Sequence, residues 1–286
     1  MSNSYYFSMI NLASRLSKKL CDGHVHLFDR TGVLDTMYKG PETLYRVGFI
    51  NVYLPQVALY TPEVIDSLYS NYIRYNKKDS DILLAGGQTA DGLIALYEKY
   101  KDDIKGFGEL KCYDYYNGQR LTPGYKNTLW LEPICEYIVK NGLHTPIYIH
   151  WNLDSKVDEL DALLQKYPQV TFLVCHCGMD NIKHDSYKTM TDEDNKQCLT
   201  NLIDLMSRHQ SLWTDVSWAA RDYFIRHPRD LSKLDLDRVV VGSDCSPVGC
   251  LLTRDPQSLC DGYYNGVRKL SNRIDNENNI KKLFSL

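Results

Sequence analysis

Short apolar runs rich in β-branched and aromatic residues alternate along the chain with longer segments whose apolar positions keep a helical period. The runs have the length of buried strands, and the segments between them have the length of surface helices. The predicted strands span residues 20–27, 46–54, 81–85, 104–110, 146–150, 170–175, 212–217 and 238–242. One helix start is marked chemically, at Thr61-Pro62, where an N-cap residue precedes a proline in the first turn.

This order of elements predicts an α/β fold with a parallel sheet. Eight strand–helix repeats without a linker or a break in composition favour a closed (β/α)8 TIM barrel. An open doubly wound sheet is the alternative, but no glycine-rich phosphate-binding sequence follows the first strand. Residues 20–286 are therefore expected to form one domain, and residues 1–19 a short amphipathic N-terminal extension.

Composition agrees with one large globular domain and narrows the choice of partners. The chain has 286 residues, of which 43% are hydrophobic and 24% are charged, and its net charge is −3. Without a basic run, nucleic acid is not an expected partner. Nine irregularly spaced cysteines favour a reducing compartment, and no apolar run suits a signal peptide or a membrane span. We expect a cytoplasmic protein that acts on a small molecule. Whether it forms a homo-oligomer stays open.

Histidines and carboxylates stand at the ends of five predicted strands, where a barrel builds its active site. The first strand ends in His24 and His26, which lie two residues apart and so share one face. The others are Glu109 on the fourth strand, His150 on the fifth, His176 on the sixth and Asp244 after the eighth. A histidine satisfied by hydrogen bonds in the core is individually the commoner case. Six residues of these types at one end of the barrel instead predict a divalent metal site, with zinc as the expected ion.

In this order the residues resemble the amidohydrolase superfamily of metal-dependent TIM-barrel hydrolases. Val241-Gly242-Ser243-Asp244 with Pro247 resembles the eighth-strand segment of the amidohydrolase-related group. Gly108-Glu109 resembles the equivalent strand of the TatD-like hydrolases, and residues 279–284 are similar to the terminal helix of both groups. The resemblance covers roughly residues 20–286 and implies a metal-dependent hydrolase.

The resemblance also implies how the metal ligands are shared. Glu109 would bridge two metal ions or face a single one. One ion would be held by His24, His26 and Asp244, and the other by His150 and His176. Many members use a carbamylated lysine as the bridge, and Lys111, on the same strand face as Glu109, keeps that alternative open. In the decarboxylase branch the sixth-strand histidine is catalytic, so both roles stay open for His176.

The chemistry expected of such a site is hydrolysis. A metal lowers the pKa of bound water from about 15.7 to about 7 and polarises the scissile bond. Asp244 is then the group expected to take the proton and pass it to the leaving group of an amide, ester, lactone or phosphoester. The alternatives are a mononuclear decarboxylase or lyase, against which Glu109 argues, and a non-catalytic barrel, against which the complete ligand set argues.

Aromatic and cationic residues near the strand ends are candidate substrate contacts. They are Lys111, Tyr113, Tyr115, Arg120, Trp151, Trp218 and Arg221. For both tryptophans, a substrate platform and packing at the barrel mouth stay open. Cys175 and Cys177 flank His176 and are expected, by strand alternation, to face the helices as core residues.

Overall fold

Eight parallel strands form a single sheet in chain order. The structure, a computed structural model, describes residues 20–27, 43–50, 62–86, 89–111, 115–116, 119–120, 131–181, 188–245 and 256–286. The strands are β1 (Leu20–His26), β2 (Thr43–Ile50), β3 (Asp81–Ala85), β4 (Ile104–Lys111), β5 (Ile147–His150), β6 (Phe172–Val174), β7 (Leu212–Val216) and β8 (Val239–Val241). A two-residue antiparallel ladder, Tyr115–Tyr116 with Gln119–Arg120, follows β4.

The first and last strands meet in a short seam. Val25 forms a parallel bridge with Cys245, and the His26 N–H donates to the Cys245 carbonyl at 3.0 Å. On the same seam, the buried Asp22 carboxylate accepts from the Ser243 N–H at 2.9 Å and from its hydroxyl at 2.6 Å. The sheet is thus a nearly closed barrel, and the predicted (β/α)8 architecture is confirmed.

Helices follow most strands and cover the outside of the sheet. They are α1 (Pro62–Asn71), α2 (Ala90–Lys99), α3 (Glu132–Asn141), α4 (Val157–Lys166), α5 (Asp192–Arg208), α6 (Trp218–Arg226), α7 (Pro256–Ser271) and α8 (Asn276–Phe284). In the described part of the chain, every helix is too short or too polar to cross a lipid bilayer. The predicted N-terminal extension, residues 1–19, lies outside the described residues.

The core has two layers because side chains alternate across each strand. Phe49, Leu84 and Tyr148 belong to an inner cluster, whereas Leu83 and Ile149, their neighbours in sequence, belong to the outer cluster that the helices cover. The inner cluster also contains Ile280, Leu283 and Phe284 of α8. The C-terminal helix therefore packs against the interior of the barrel.

Two buried asparagines attach α8 to the seam. Asn276 accepts from the Val241 N–H at 2.8 Å and donates to the carbonyls of Cys21 at 2.8 Å and Val241 at 2.9 Å. Asn279 donates to the Val239 carbonyl at 2.6 Å. These side chains hold the last helix against β1 and β8, so the C-terminal ends of the strands are left for the polar residues.

Candidate metal centre

The six predicted ligands come together at the C-terminal mouth of the barrel. His24 and His26 end β1, Glu109 lies on β4, His150 ends β5, His176 follows β6 and Asp244 follows β8. The four histidines and Glu109 are each at most 8% exposed. Asp244 is the most open of the six, with 15% of its side chain exposed.

One group of candidate metal ligands lies across the β1–β8 seam. The Oδ1 atom of Asp244 lies 3.1 Å from Nε2 of His26 and 3.4 Å from Nε2 of His24. The His24 and His26 ring centroids are 5.3 Å apart. One carboxylate oxygen therefore lies close to both imidazoles, and ligand atoms of His24, His176 and Asp244 also lie within 4.8 Å of one another.

Glu109 connects this group with the other side of the mouth. Its Oε1 atom lies 2.9 Å from Nδ1 of His150 and 3.2 Å from Nε2 of His176, and its Oε2 atom lies 3.7 Å from Nε2 of His26. Ligand atoms of Glu109, His24 and His26 consequently all lie within 4.8 Å of one another. The same holds for ligand atoms of Glu109, His150 and His176.

The local backbone explains how two of these side chains reach the mouth. Gly108 has a φ of +143°, and a Cβ there would lie 2.5 Å from Cβ of Tyr148, so only glycine fits before Glu109. His176 has a left-handed φ of 57° in the 3₁₀ turn Cys175–Gly178. Such conformations are uncommon for residues other than glycine and cluster at functional sites.

The site is strongly polarised. Burial disfavours the charged form of Glu109, but hydrogen bonds with His150 and His176 hold its pKa well below the usual value. Burial likewise opposes ionisation of Asp244, and the imidazoles of His24 and His26 nevertheless lower its pKa. Burial alone would lower the pKa of His24, but nearby carboxylates raise it well above the usual value. Ionised carboxylates thus face imidazoles in a buried site.

These donors fit a divalent metal. Nε2 of His24 is buried and makes no hydrogen bond with a described residue, although Asp244 lies close by. Buried polar atoms are normally hydrogen-bonded, so a buried nitrogen of this kind suits a metal ligand. Imidazole nitrogens and carboxylate oxygens are the ligands that zinc and its neighbours take in proteins.

One prediction about the residues beside His176 is wrong. Phe172, Leu173 and Val174 of β6 alternate between the outer and inner clusters, and Cys175 continues this alternation, whereas the left-handed backbone of His176 breaks it. Cys175 therefore lies in the inner cluster, with Sγ within 4.8 Å of ligand atoms of His24 and Asp215. Cys177 lies in the outer cluster, as expected, and its thiol donates to the Asp215 carbonyl at 3.3 Å.

The predicted substrate contacts have different surroundings. The half-buried Trp218 ring lies 5.3 Å from the His176 ring and 6.3 Å from the His150 ring, at the mouth. Trp151 is 1% exposed, and its Nε1 donates to the Lys156 carbonyl. Of the two alternatives for this residue, these contacts favour packing at the barrel mouth.

The remaining predicted contacts say less about a substrate. Arg221 is 5% exposed and donates to the Ser243 carbonyl at 3.1 Å, so it supports the segment before Asp244. Tyr113 lies outside the described residues, and the structure gives only the backbone of Lys111, Tyr115 and Arg120. Their contacts with a substrate stay predictions.

Sequence reasoning missed an outer set of polar groups that hold the histidine rings. Asp215 on β7 is fully buried, and its Oδ2 atom lies 2.9 Å from Nδ1 of His24. Asp180 places Oδ2 3.4 Å from Nε2 of His150. Asp215 could have been found, because it is a charged residue inside the apolar run 212–216. Asp180 lies in a polar loop, where an aspartate gives no such signal.

A protein-family model described as amidohydrolase matches residues 105–249, just over half of the chain. The chain belongs to the amidohydrolase family. The matched segment contains Glu109, His150, His176 and Asp244, while the two histidines of β1 precede it. Membership implies a hydrolase that uses a divalent metal. Among curated proteins, no sequence matches the chain.

Solved structures share the fold of this amidohydrolase at low sequence identity. An amidohydrolase from Burkholderia multivorans with bound zinc has 11% identity and a TM-score of 0.58, covering 94% of this chain and 100% of the other. A Pseudomonas putida protein assigned as a 2-pyrone-4,6-dicarboxylic acid hydrolase has 16% identity and a TM-score of 0.56, covering 93% and 97%. Dihydroorotase from Saccharomyces cerevisiae has 13% identity and a TM-score of 0.55, covering 94% and 84%. At these identities the likeness is one of fold.

Proposed function

We propose that this amidohydrolase cleaves an amide, ester, lactone or phosphoester bond in a small molecule, using zinc at one or two positions. The position of Glu109 is the observation that carries this proposal. Its two oxygens face three imidazoles at 2.9, 3.2 and 3.7 Å, so one carboxylate belongs to both groups of donors. A site with a single metal has less need of a carboxylate placed there.

In this proposal the six residues would form two metal positions connected by Glu109. The first would be held by His24, His26 and Asp244, and the second by His150 and His176. A bound divalent ion supplies Lewis acidity and lowers the pKa of a bound water to about 7. The zinc-containing structure from Burkholderia multivorans supports zinc as the metal to test first.

Asp244 is the residue suited to move a proton. It is the most exposed of the six groups, and its Oδ1 atom lies within 3.4 Å of a ring nitrogen of both His24 and His26. An ionised carboxylate at the open side of the mouth can accept a proton from the attacking water and return it to the leaving group. The Trp218 ring, which meets the His176 ring edge-on at 5.3 Å and lies tilted 6.3 Å from the His150 ring, gives the mouth an apolar wall.

His176 is assigned to the ligands because of the direction of its ring. Its Nε2 atom faces Glu109 at 3.2 Å, while its Nδ1 atom is engaged by Ser217 at 2.7 Å. A histidine that acts as the acid or base of a decarboxylase needs a ring nitrogen directed at the substrate instead.

Metal analysis combined with a substrate panel tests the proposal. Purified protein is expected to contain one or two equivalents of zinc and to hydrolyse at least one chromogenic ester, lactone, anilide or phosphodiester. Chelation should abolish that activity and zinc should restore it. Asp244→Asn should lower kcat by about 10²–10⁴-fold, whereas Asp204→Asn, with a side chain 63% exposed on α5, should match the wild type. Full activity after complete metal removal would refute the proposal, and decarboxylation with one metal equivalent would favour a lyase.

A further inference from the structure

Asp215 lies beneath both groups of donors. It is on β7, whereas the proposed ligands come from other strands and the turns after them, and it is 0% exposed. A buried carboxylate is costly unless its oxygens are well hydrogen-bonded. Both oxygens of Asp215 are engaged, and each serves a different histidine.

The Oδ2 atom of Asp215 controls His24 directly. It lies 2.9 Å from Nδ1 of His24, and both side chains are fully buried. A carboxylate can only accept a hydrogen bond, so Nδ1 of His24 must carry a proton. In the neutral ring this leaves the lone pair on Nε2, the atom that faces Asp244 at 3.4 Å.

The Oδ1 atom of Asp215 controls His176 by two routes. It accepts the backbone N–H of His176 at 3.0 Å, which holds that residue in its left-handed conformation. It also accepts the hydroxyl hydrogen of Ser217. Because that single hydrogen points to Asp215, the Ser217 oxygen must accept from Nδ1 of His176 at 2.7 Å. The lone pair of His176 is thus left on Nε2, which faces Glu109 at 3.2 Å.

We propose that Asp215 is a positioning residue shared by the two metal positions, since it fixes the ring orientation and tautomer of one histidine in each. This inference rests on the proposed function, because it takes His24 and His176 as metal ligands. Carboxylates that orient a ligating histidine typically contribute 10–100-fold to metal affinity. Removing a carboxylate that orients a single histidine should lower the metal affinity of one position only. The loss of Asp215 should weaken both.

Three variants separate this role from a merely structural one. Asp215→Asn keeps the shape but offers one acceptor oxygen where two are needed. Ser217→Ala breaks only the route to Nδ1 of His176. Asp22→Asn is the matched control, since Asp22 is also fully buried but bonds Ser243 and the His24 backbone rather than the imidazole rings.

Zinc affinity of the full-length protein is measured by competition with a chromogenic chelator. Asp215→Asn should lower the affinity of both equivalents by about 10–100-fold. Ser217→Ala should lower the affinity of one equivalent by a similar factor and leave the other within about threefold of the wild type. Wild-type affinity for either equivalent in Asp215→Asn would overturn the inference.

Spectra of ¹⁵N-histidine-labelled protein provide a readout that does not depend on metal. Metal-free wild type should show hydrogen-bonded Nδ1–H signals for His24 and His176. Ser217→Ala should shift only the His176 signal, Asp215→Asn should shift both, and Asp22→Asn neither. If Asp215→Asn does not fold, the wild-type and Ser217→Ala spectra test the inference instead. A wild-type His24 protonated only at Nε2 would contradict it. If the wild type binds no zinc but shows both Nδ1–H signals, the proposed function fails while the role of Asp215 in orienting the rings stands.

Discussion

Replacing Gly242 with alanine tests how closely the β1–β8 seam must pack for the site to form. A Cβ at position 242 would lie 2.3 Å from Cβ, 2.6 Å from N and 2.9 Å from Cα of His24. Carbon atoms in contact normally lie about 3.5–4.0 Å apart, so the two strands must separate by roughly 1 Å. Two of the three obstructing atoms are backbone, and a change of side-chain rotamer cannot relieve the clash.

The expected cost follows from what else crosses the seam. Overpacking of a dense interior typically destabilises a protein by about 1–3 kcal/mol. The same movement would separate His24 from Asp244, whose N–H donates to the His24 carbonyl at 2.8 Å. A displacement of about 1 Å at reacting groups can lower a rate by about 10²-fold. Gly242→Ala should therefore lose stability and activity together.

Thermal unfolding and steady-state kinetics measure the two effects. At about 2–4 °C per kcal/mol, the unfolding midpoint should fall by about 2–12 °C. Gly262→Ala is the matched control, because Gly262 lies in α7 with no atom within 4 Å of the added Cβ. Alanine there should stabilise by about 0.5–1 kcal/mol, since glycine is a poor helix former. A Gly242→Ala enzyme with wild-type midpoint and kcat/KM would refute this account of the seam.

Three further changes test the fold and its titration. Asn276→Leu removes three buried hydrogen bonds and should cost about 3–5 kcal/mol in urea unfolding; a loss below about 1 kcal/mol would contradict its role in attaching α8. Burial opposes ionisation of Asp180, yet its bond with His150 lowers its pKa to about 2, so its contribution to stability is present above pH 4 and is lost as the pH falls towards 2. Asp180→Asn should therefore remove about 2 kcal/mol from the acid-dependent part of the stability of the metal-free protein. The urea midpoint of the variant should then change less between pH 4 and pH 2 than that of the wild type. The buried Tyr148 hydroxyl has no hydrogen-bond partner among the described residues, so Tyr148→Phe should raise the thermal midpoint by the equivalent of about 1 kcal/mol, and a fall would reveal a missing partner.

The barrel was predictable because its strands are short, apolar and separated by helical periods. The bounds were predictable only where a residue with strong local preference marks them. The third strand, 81–85, is bounded as predicted, whereas β2 begins at Thr43, three residues before the predicted start. The three added residues, 43–45, pair with β1 alone, since the ladder with β3 begins at Arg46.

Residues at the site were predictable to the extent that they follow strands. The six candidate ligands needed only the rule that barrel sites lie at the C-terminal ends of strands. Cys175 was misplaced because its side was inferred from that of His176, and the left-handed backbone of His176 breaks the alternation that Cys175 itself continues. Asp215 was missed because it lies within β7, where it acts through the rings of residues far away in the sequence.

The position of the proposed ligands also bears on stability. β4, β5 and β6 are joined by parallel pairing, with one register irregularity between Phe107 and Leu110, so Glu109, His150 and the turn that carries His176 belong to a continuous part of the sheet. His26 and Asp244 instead face each other across the seam, where the described bridge is a single residue pair. An ion held there would fasten the two ends of the sheet, and a ligand at 100 times its Kd stabilises the bound state by about 2.7 kcal/mol. The thermal stabilisation produced by zinc should therefore be largely lost in Asp244→Asn, while Ser217→Ala, which disturbs only the continuous side, should keep most of it.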